Sequence, residues 1–304
     1  MNIAAKSEGA LPVRERGAWQ PDLARRRRVG KSWSIAFLVA TCSAVLLLAL
    51  LLAVLFIRGF DWLSWTLITA MPSRNAEESG LNSAIWGTVW VVSAAAILSF
   101  IVGVGSAVYL EEYAPRNWMT SFLKTNIANL AGVPSVVYGL LGLALFVEFM
   151  SIGRTVLAGA LTMGLLILPI IILASQESLR AVPLGLRQAA FGMGATRWQV
   201  VRHHILPAAM PGVLTGTILA VSRAIGETAP LIVVGAAAYF PYRPDGLFSQ
   251  YTAMPVQIYQ WTGRPQEEFR DLAAAAIIVL MVLLLSMNAI AIVIRQRLST
   301  RKRW

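Results

Sequence analysis

Arg223 and Glu227 stand four residues apart in a stretch, about Pro207 to Phe240, that holds no other charged residue. Residues at that spacing share one face of a helix. A charge held in hydrocarbon is expensive and is retained where it serves a pathway or a fixed pair. Arginine stays ionised and offers a planar fork of donors that matches two oxygens of an oxyanion. A glutamate beside it lowers the positive trap, so that an anion can leave, and accepts a hydrogen bond from any oxyanion that carries a proton. Two readings stay open: an anion pathway, or an ion pair that locks its helix against neighbours. Thr228 beside the pair, with Ser135 and Gln176 in two other apolar stretches, complete the residues expected to line such a pathway.

A second stretch, Val182 to Pro207, has the chemistry of docking. Pro183 and Gly185 end the apolar run before it, and Leu186 to Phe191 read as a short helix of small and apolar residues. Gly192 and Gly194 are expected to break that helix, because glycine tolerates positive φ. Pro207 is expected to open the next apolar helix, where a missing N–H costs little. The product is a short helix parallel to the membrane plane, cradled by a glycine turn and shaped for a groove on a partner.

These elements must be positioned by a membrane bundle. The chain has 304 residues, 57% hydrophobic and 13% charged, far from the usage of soluble domains. Uncharged windows run over Ser32–Ile57, Ser79–Leu110, Thr125–Val147, Thr155–Gln176, about Pro207–Phe240 and Leu272–Ile294. Each exceeds the roughly 20 residues that cross about 30 Å of hydrocarbon. In lipid the backbone must satisfy itself, so six transmembrane helices and an all-α integral membrane protein follow. The boundaries are a basic tail at 1–31, a first helix at 32–58, an interfacial segment at 59–80, a core at 81–294 with a loop at 177–207 and an opposite loop at 237–271, and a basic tail at 295–304. With the N-terminus inside, nineteen Lys and Arg fall on the cytoplasmic side and six outside, which sets both termini in the cytoplasm.

Smaller features are read in that frame. The tail to residue 31 is expected to be disordered, with Arg25 to Arg28 beside anionic lipid. The first helix is featureless and expected against lipid, with Cys42 as packing. Glu111 and Glu112, at a cytoplasmic boundary, read as a solvated loop or a partner contact. Gly132 and Pro134 interrupt the third span, the sixth is plain apolar, and Trp261, Tyr251, Tyr259 and Phe269 equip the 237–271 loop to receive a soluble protein. His203 and His204 point about 100° apart on a helix, a poor chelating pair, and no metal site is expected. The net charge of +11 belongs to the inner loops and not to nucleic-acid binding. Gly30-Lys31-Ser32 resembles the end of a phosphate-binding loop, but Arg25 stands where its first glycine belongs, so no ATP-hydrolysing site is expected.

Gln188-Ala189-Ala190, then Gly194, then Leu206-Pro207 resembles the coupling motif of binding-protein-dependent ABC importer permeases, with Gln188 in place of the preferred Glu and His204 in place of Ile. Val133-Pro134-Ser135-Val136-Val137-Tyr138-Gly139, Gly226-Glu227-Thr228-Ala229-Pro230 and Pro255-Val256-Gln257-Ile258-Tyr259 resemble the PstA-type permeases of phosphate-specific importers, over roughly residues 80–297. That resemblance implies the type I ABC importer permease fold with a cytoplasmic coupling helix, in the cell inner membrane. It implies a second permease subunit (PstC-type), two ATPase subunits (PstB-type) that hold ATP and Mg, and an extracytoplasmic phosphate-binding protein (PstS-type), with no cofactor in this chain. One departure stands out: after Leu168-Pro169 the family often carries an Arg and a Glu three apart, where this chain has Leu173 and Gln176. Sulfate or molybdate on the same scaffold is therefore the alternative cargo.

Overall fold

The computed structural model describes residues 23–236 and 240–300, and every regular element among them is helical. Two units, Met1–Ala53 and Val54–Trp304, are taken separately. In the first, helix α1 (Leu23–Gly59) is already regular at Leu23, inside the expected disordered tail. Arg26 to Arg28 and Lys31 therefore stand on helix turns, while the tail before residue 23 lies outside the described residues. Cys42 is exposed with the rest of α1 from Arg26 to Leu51, not packed as expected. A helix apolar on all faces has no stripe that would commit it to a protein core.

The second unit begins with the last turn of α1, a 3-10 turn at Phe60–Trp62 and the short α2 (Trp65–Thr69), capped by Ser64. Helix α3 (Asn82–Val108) runs on through one wider turn, Tyr109–Tyr113, closed by a bond from Ala114 N–H to Tyr109 O. Next come α4 (Trp118–Leu130), α5 (Ser135–Gly142, continued by wider turns to Phe149) and α6 (Val156–Arg180). Thr155 caps α6, and α6 forms the centre of the core, with Val156, Ala160, Met163, Ile167, Ile171 and Leu179 fully buried.

Side chains that touch across helices give the topology. Ser99 donates to Gly164 O, Gly103 lies under Ile171, and Glu111 pairs with Arg180, so α3 and α6 run parallel. Two parallel helices need a connection that recrosses the bundle, and α4 with α5 supplies it. The interruption expected within the 125–147 span at Gly132 and Pro134 is a sharp one: the pair is bent by 103° at residues 131–134. Pro134 has no N–H to continue a helix, and the Tyr138 hydroxyl donates to Leu130 O at 2.8 Å, satisfying a carbonyl that the break frees.

Helices α7 (Leu184–Gly192) and α8 (Arg197–Val200) follow, then a wider turn at Val201–Ile205 and α9 (Leu206–Gly226). The helical run is continuous from Arg197, so Pro207 lies inside it and does not open it. Helices α10 (Ala229–Val234), α11 (Met254–Thr262) and α12 (Glu267–Thr300) complete the unit. Helix α9 is antiparallel to α6, with Gly212 against Ser178 and Gly216 against Ala174, and antiparallel to α12, with Arg295 on Thr215 and Ser222 on Asn288. At the end away from α7 the 240–263 segment folds over the bundle. Ser249 O and Leu247 O accept from the first N–H groups of α6, and Met254 N–H donates to Thr88. Trp261, Tyr251 and Phe269 are thereby buried, and of the four aromatics expected to meet a soluble protein only Tyr259 is exposed. Burial also pushes the Tyr251 phenol pKa upward.

Candidate functional site

The register of α9 against α6 fixes the depth of the charged pair. Gly216 faces Ala174, so Arg223, two turns further on, reaches the level of Ile167, mid-way along α6. Helix α9 stops at Gly226, Glu227 is extended (φ −76, ψ 123), and α10 starts at Ala229. The cause is local: Gly226 is a poor helix residue, and the Pro230 ring would collide with the Gly226 carbonyl in a continuous helix. Arg223 Nε donates to Glu227 Oε1 at 3.2 Å. The pair read from the spacing forms, but its carboxylate stands at a break and not on an unbroken helical face. Arg223 is 52% exposed against 19% for Glu227. Among the described residues its two terminal nitrogens make no hydrogen bond, so the fork is open to an anion.

Thr228 occupies the break beside Glu227. Ser135 lies in the first turn of α5, and α5 packs on α10 where Gly139 meets Pro230 and Val233. Gln176 is elsewhere: it is 3% exposed on α6, nine residues or about 13 Å along the helix from the level of Arg223. Its amide nitrogen is buried without a partner among the described residues. The structure thus groups Arg223, Glu227 and Thr228, sets the helix of Ser135 against the next element, and leaves Gln176 apart. The sixth span is not plain apolar either: Asn288 Oδ1 lies 2.6 Å from the Ser222 hydroxyl, one residue before Arg223. A lone Asn in an apolar run was the available signal.

The loop of α7 and α8 is the second part of the site. Gly194 has φ +81, and the turn is closed by bonds from Gly194 N–H to Phe191 O and from Ala195 N–H to Ala190 O. Gly192, expected to share the break, remains the last residue of α7. Thr196 then caps α8 in a reciprocal box with Gln199. Ala190 is buried against the bundle, Gln188 and Ala189 face outward, and Leu206 and Pro207 are half-buried at the root of α9. Around Gln188 and Ala189 the large side chains of Leu184, Phe191, Met193 and Trp198 are exposed, Met193 by 89%. Exposed apolar surface of this density marks an interaction face. Those four residues were missed in the sequence: Phe191 read as the end of the short helix, and Leu184, Met193 and Trp198 were given no role.

Glu111 and Glu112 are neither a solvated loop nor free for a partner. Glu111 takes a two-pronged contact from Arg180, at 2.6 and 3.0 Å, and one from Lys124 at 2.8 Å. Glu112, 8% exposed, pairs with Arg187 of α7 at 3.0 Å. The missing signal is one of distance along the chain, since the partners lie on other elements.

A family model described as binding-protein-dependent transport system inner membrane component matches residues 99–303. The chain belongs to that family. It is a multi-pass inner-membrane permease component of an ABC importer. The probable ABC transporter permease protein YqgI of Bacillus subtilis (strain 168) is 33% identical over 63% of this chain and 66% of that protein. The phosphate transport system permease protein PstA 1 of Mycobacterium tuberculosis (strain ATCC 25618 / H37Rv) is 30% identical over 100% of this chain and 98% of its own length. A solved inward-facing MetNI methionine ABC transporter superposes with a TM-score of 0.58 at 18% identity, over 71% of this chain and 94% of that one. The fold is therefore that of type I importer permeases. The family match begins at Ser99, inside α3, so α1 and α2 lie outside it.

Proposed function

We propose that this chain is the phosphate-conducting permease subunit of an ATP-driven importer, with both termini in the cytoplasm. The observation that carries the cargo is the similarity, over the whole chain, to the Mycobacterium phosphate permease. In this reading Arg223 presents its open fork to phosphate at mid-depth, and Glu227 limits the trap and accepts a hydrogen bond from a protonated phosphate oxygen. Thr228 and Ser135 line the same route, and Gln176 joins it only if α6 turns. Discontinuous helices at mid-membrane suit such a site.

The loop face of Gln188, Ala189, Leu184, Phe191, Met193 and Trp198 receives an ATPase, with Gly194 shaping the turn and Leu206 and Pro207 rooting it. The full assembly pairs this chain with a second permease subunit of PstC type, two ATPase subunits of PstB type that hold ATP and Mg, and a phosphate-binding protein of PstS type outside. Removing the chain from its own cell tests the reading: energy-dependent uptake of radiolabelled phosphate at low concentration is lost. Intact phosphate uptake alongside lost sulfate or molybdate uptake would overturn it.

A further inference from the structure

We propose that Glu112 and Arg187 form a latch that carries movement of the coupling helix to the α3–α6 wall. This rests on the reading of α7 as the ATPase-docking element. Glu112 lies on the wider turn that ends α3, and Arg187 lies in the middle of α7. Among the described residues, their 3.0 Å ion pair joins α7 to the turn that ends α3, with exposures of 22% for Arg187 and 8% for Glu112. The same Nη2 nitrogen of Arg187 donates to Leu179 O at 2.8 Å, near the end of α6. One guanidinium therefore grips the ends of both wall helices.

The neighbouring groups make the wall rigid where the latch pulls. Glu111, adjacent to Glu112 on the same turn and so facing another direction, ties α3 to Arg180 of α6 and Lys124 of α4. The pull on Glu112 is thereby delivered to the ends of α3 and α6 and to the middle of α4 together. Arg197, at the start of α8, lies over the Tyr113 ring at 5.4 Å, a second hold of the loop on the same turn. Among the described residues, Glu112 Oε1 and Arg187 Nε are both buried and make no hydrogen bond. The pair is thus held by charge, without the fork-to-fork geometry that would fix one orientation, and can pivot while staying closed. Such a joint transmits a shift of α7 without requiring α7 to be rigidly fused to α3.

The test uses the complex purified with its ATPase from the native membrane and reconstituted in lipid vesicles, with ATP hydrolysis measured with and without phosphate-loaded binding protein. For Glu112→Gln and Arg187→Gln, basal hydrolysis and ATPase content stay at the parent level while stimulation by the binding protein falls about tenfold, within the usual range of coupling between sites. The exchange Glu112→Arg with Arg187→Glu restores stimulation. Glu112→Asp keeps charge and fold while withdrawing the carboxylate by about 1.5 Å, and it lowers stimulation selectively, which provides the readout if the neutral variants do not assemble. A merely structural pair would lower basal and stimulated activity together, and that result, or unchanged stimulation in Glu112→Asp, overturns the latch. A parent complex that carries no ATPase overturns the docking reading itself, and with it the latch.

Discussion

Gly194 shows what one residue contributes to the proposed docking loop. Its φ of +81 is costly for any residue with a Cβ, by about 1–2 kcal/mol, and more for a β-branched one. No atom lies within 4 Å of where a Cβ would stand, so the penalty is conformational and not steric. Gly194→Val is expected to insert normally yet lose phosphate uptake and stimulated ATP hydrolysis. Gly192→Ala, at a helical position with equally open surroundings, is expected to retain both. Equal activity in the two variants would remove the turn from the account. The turn was legible because Gly, Ala-Ala and Leu-Pro fall within one short stretch. The ion pairs of Glu111 and Glu112 were not, since Glu111 and Arg180 lie 69 residues apart and only the parallel packing of α3 on α6 brings them together. Cys42 was misread for a related reason: an apolar run looks the same whether it faces protein or lipid.

At the scale of elements, hydropathy gave lengths but not bends. The windows for α3 and α6 agree with the helices to within about four residues and that for α12 falls five and six short at its ends, whereas the third and fifth spans are each broken, at residues 131–134 and 227–228. The residues at both breaks were visible, but proline and glycine do not state the angle, which is set by packing. At the second break the charged pair is open to a double-mutant test. An uncompensated charge at mid-membrane costs about 3 kcal/mol, so Arg223→Gln and Glu227→Gln are each expected to lose uptake. Removing both charges relieves that cost. If Arg223 meets the anion, the double variant assembles with its ATPase and still fails to transport; recovered uptake would reduce the pair to a structural lock. The seam between α5 and α10 gives an independent test. A Cβ on Gly139 would lie 2.8 Å from Pro230 Cα, where backbone cannot yield cheaply. Gly139→Val is therefore expected to displace α10 and abolish uptake, whereas Gly185→Ala, in open space on α7, leaves it intact.

For the whole molecule, the proposed orientation rests on the excess of Lys and Arg on one side. Single cysteines on a Cys42→Ala background test it at exposed positions: Trp65→Cys and Gln250→Cys are expected to react with an impermeant thiol reagent in intact cells, and Met193→Cys only after the membrane is opened. Labelling of Met193→Cys in intact cells would invert the molecule and remove the docking face from the ATPase. The family was legible in the coupling stretch and in Gly226-Glu227-Thr228-Ala229-Pro230, since docking and a helix break are local properties of sequence. The burial of the 240–263 segment was not, because Tyr251 is covered by α6, distant in the chain. The central claim is that this chain conducts phosphate on demand from a separate ATPase. Its most direct test is uptake of radiolabelled phosphate into vesicles holding the purified complex, with ATP supplied on the ATPase side, binding protein on the other, and excess unlabelled anions as competitors. The account predicts ATP-dependent accumulation that unlabelled phosphate abolishes and sulfate and molybdate leave unchanged; accumulation of sulfate or molybdate that phosphate does not inhibit would contradict it.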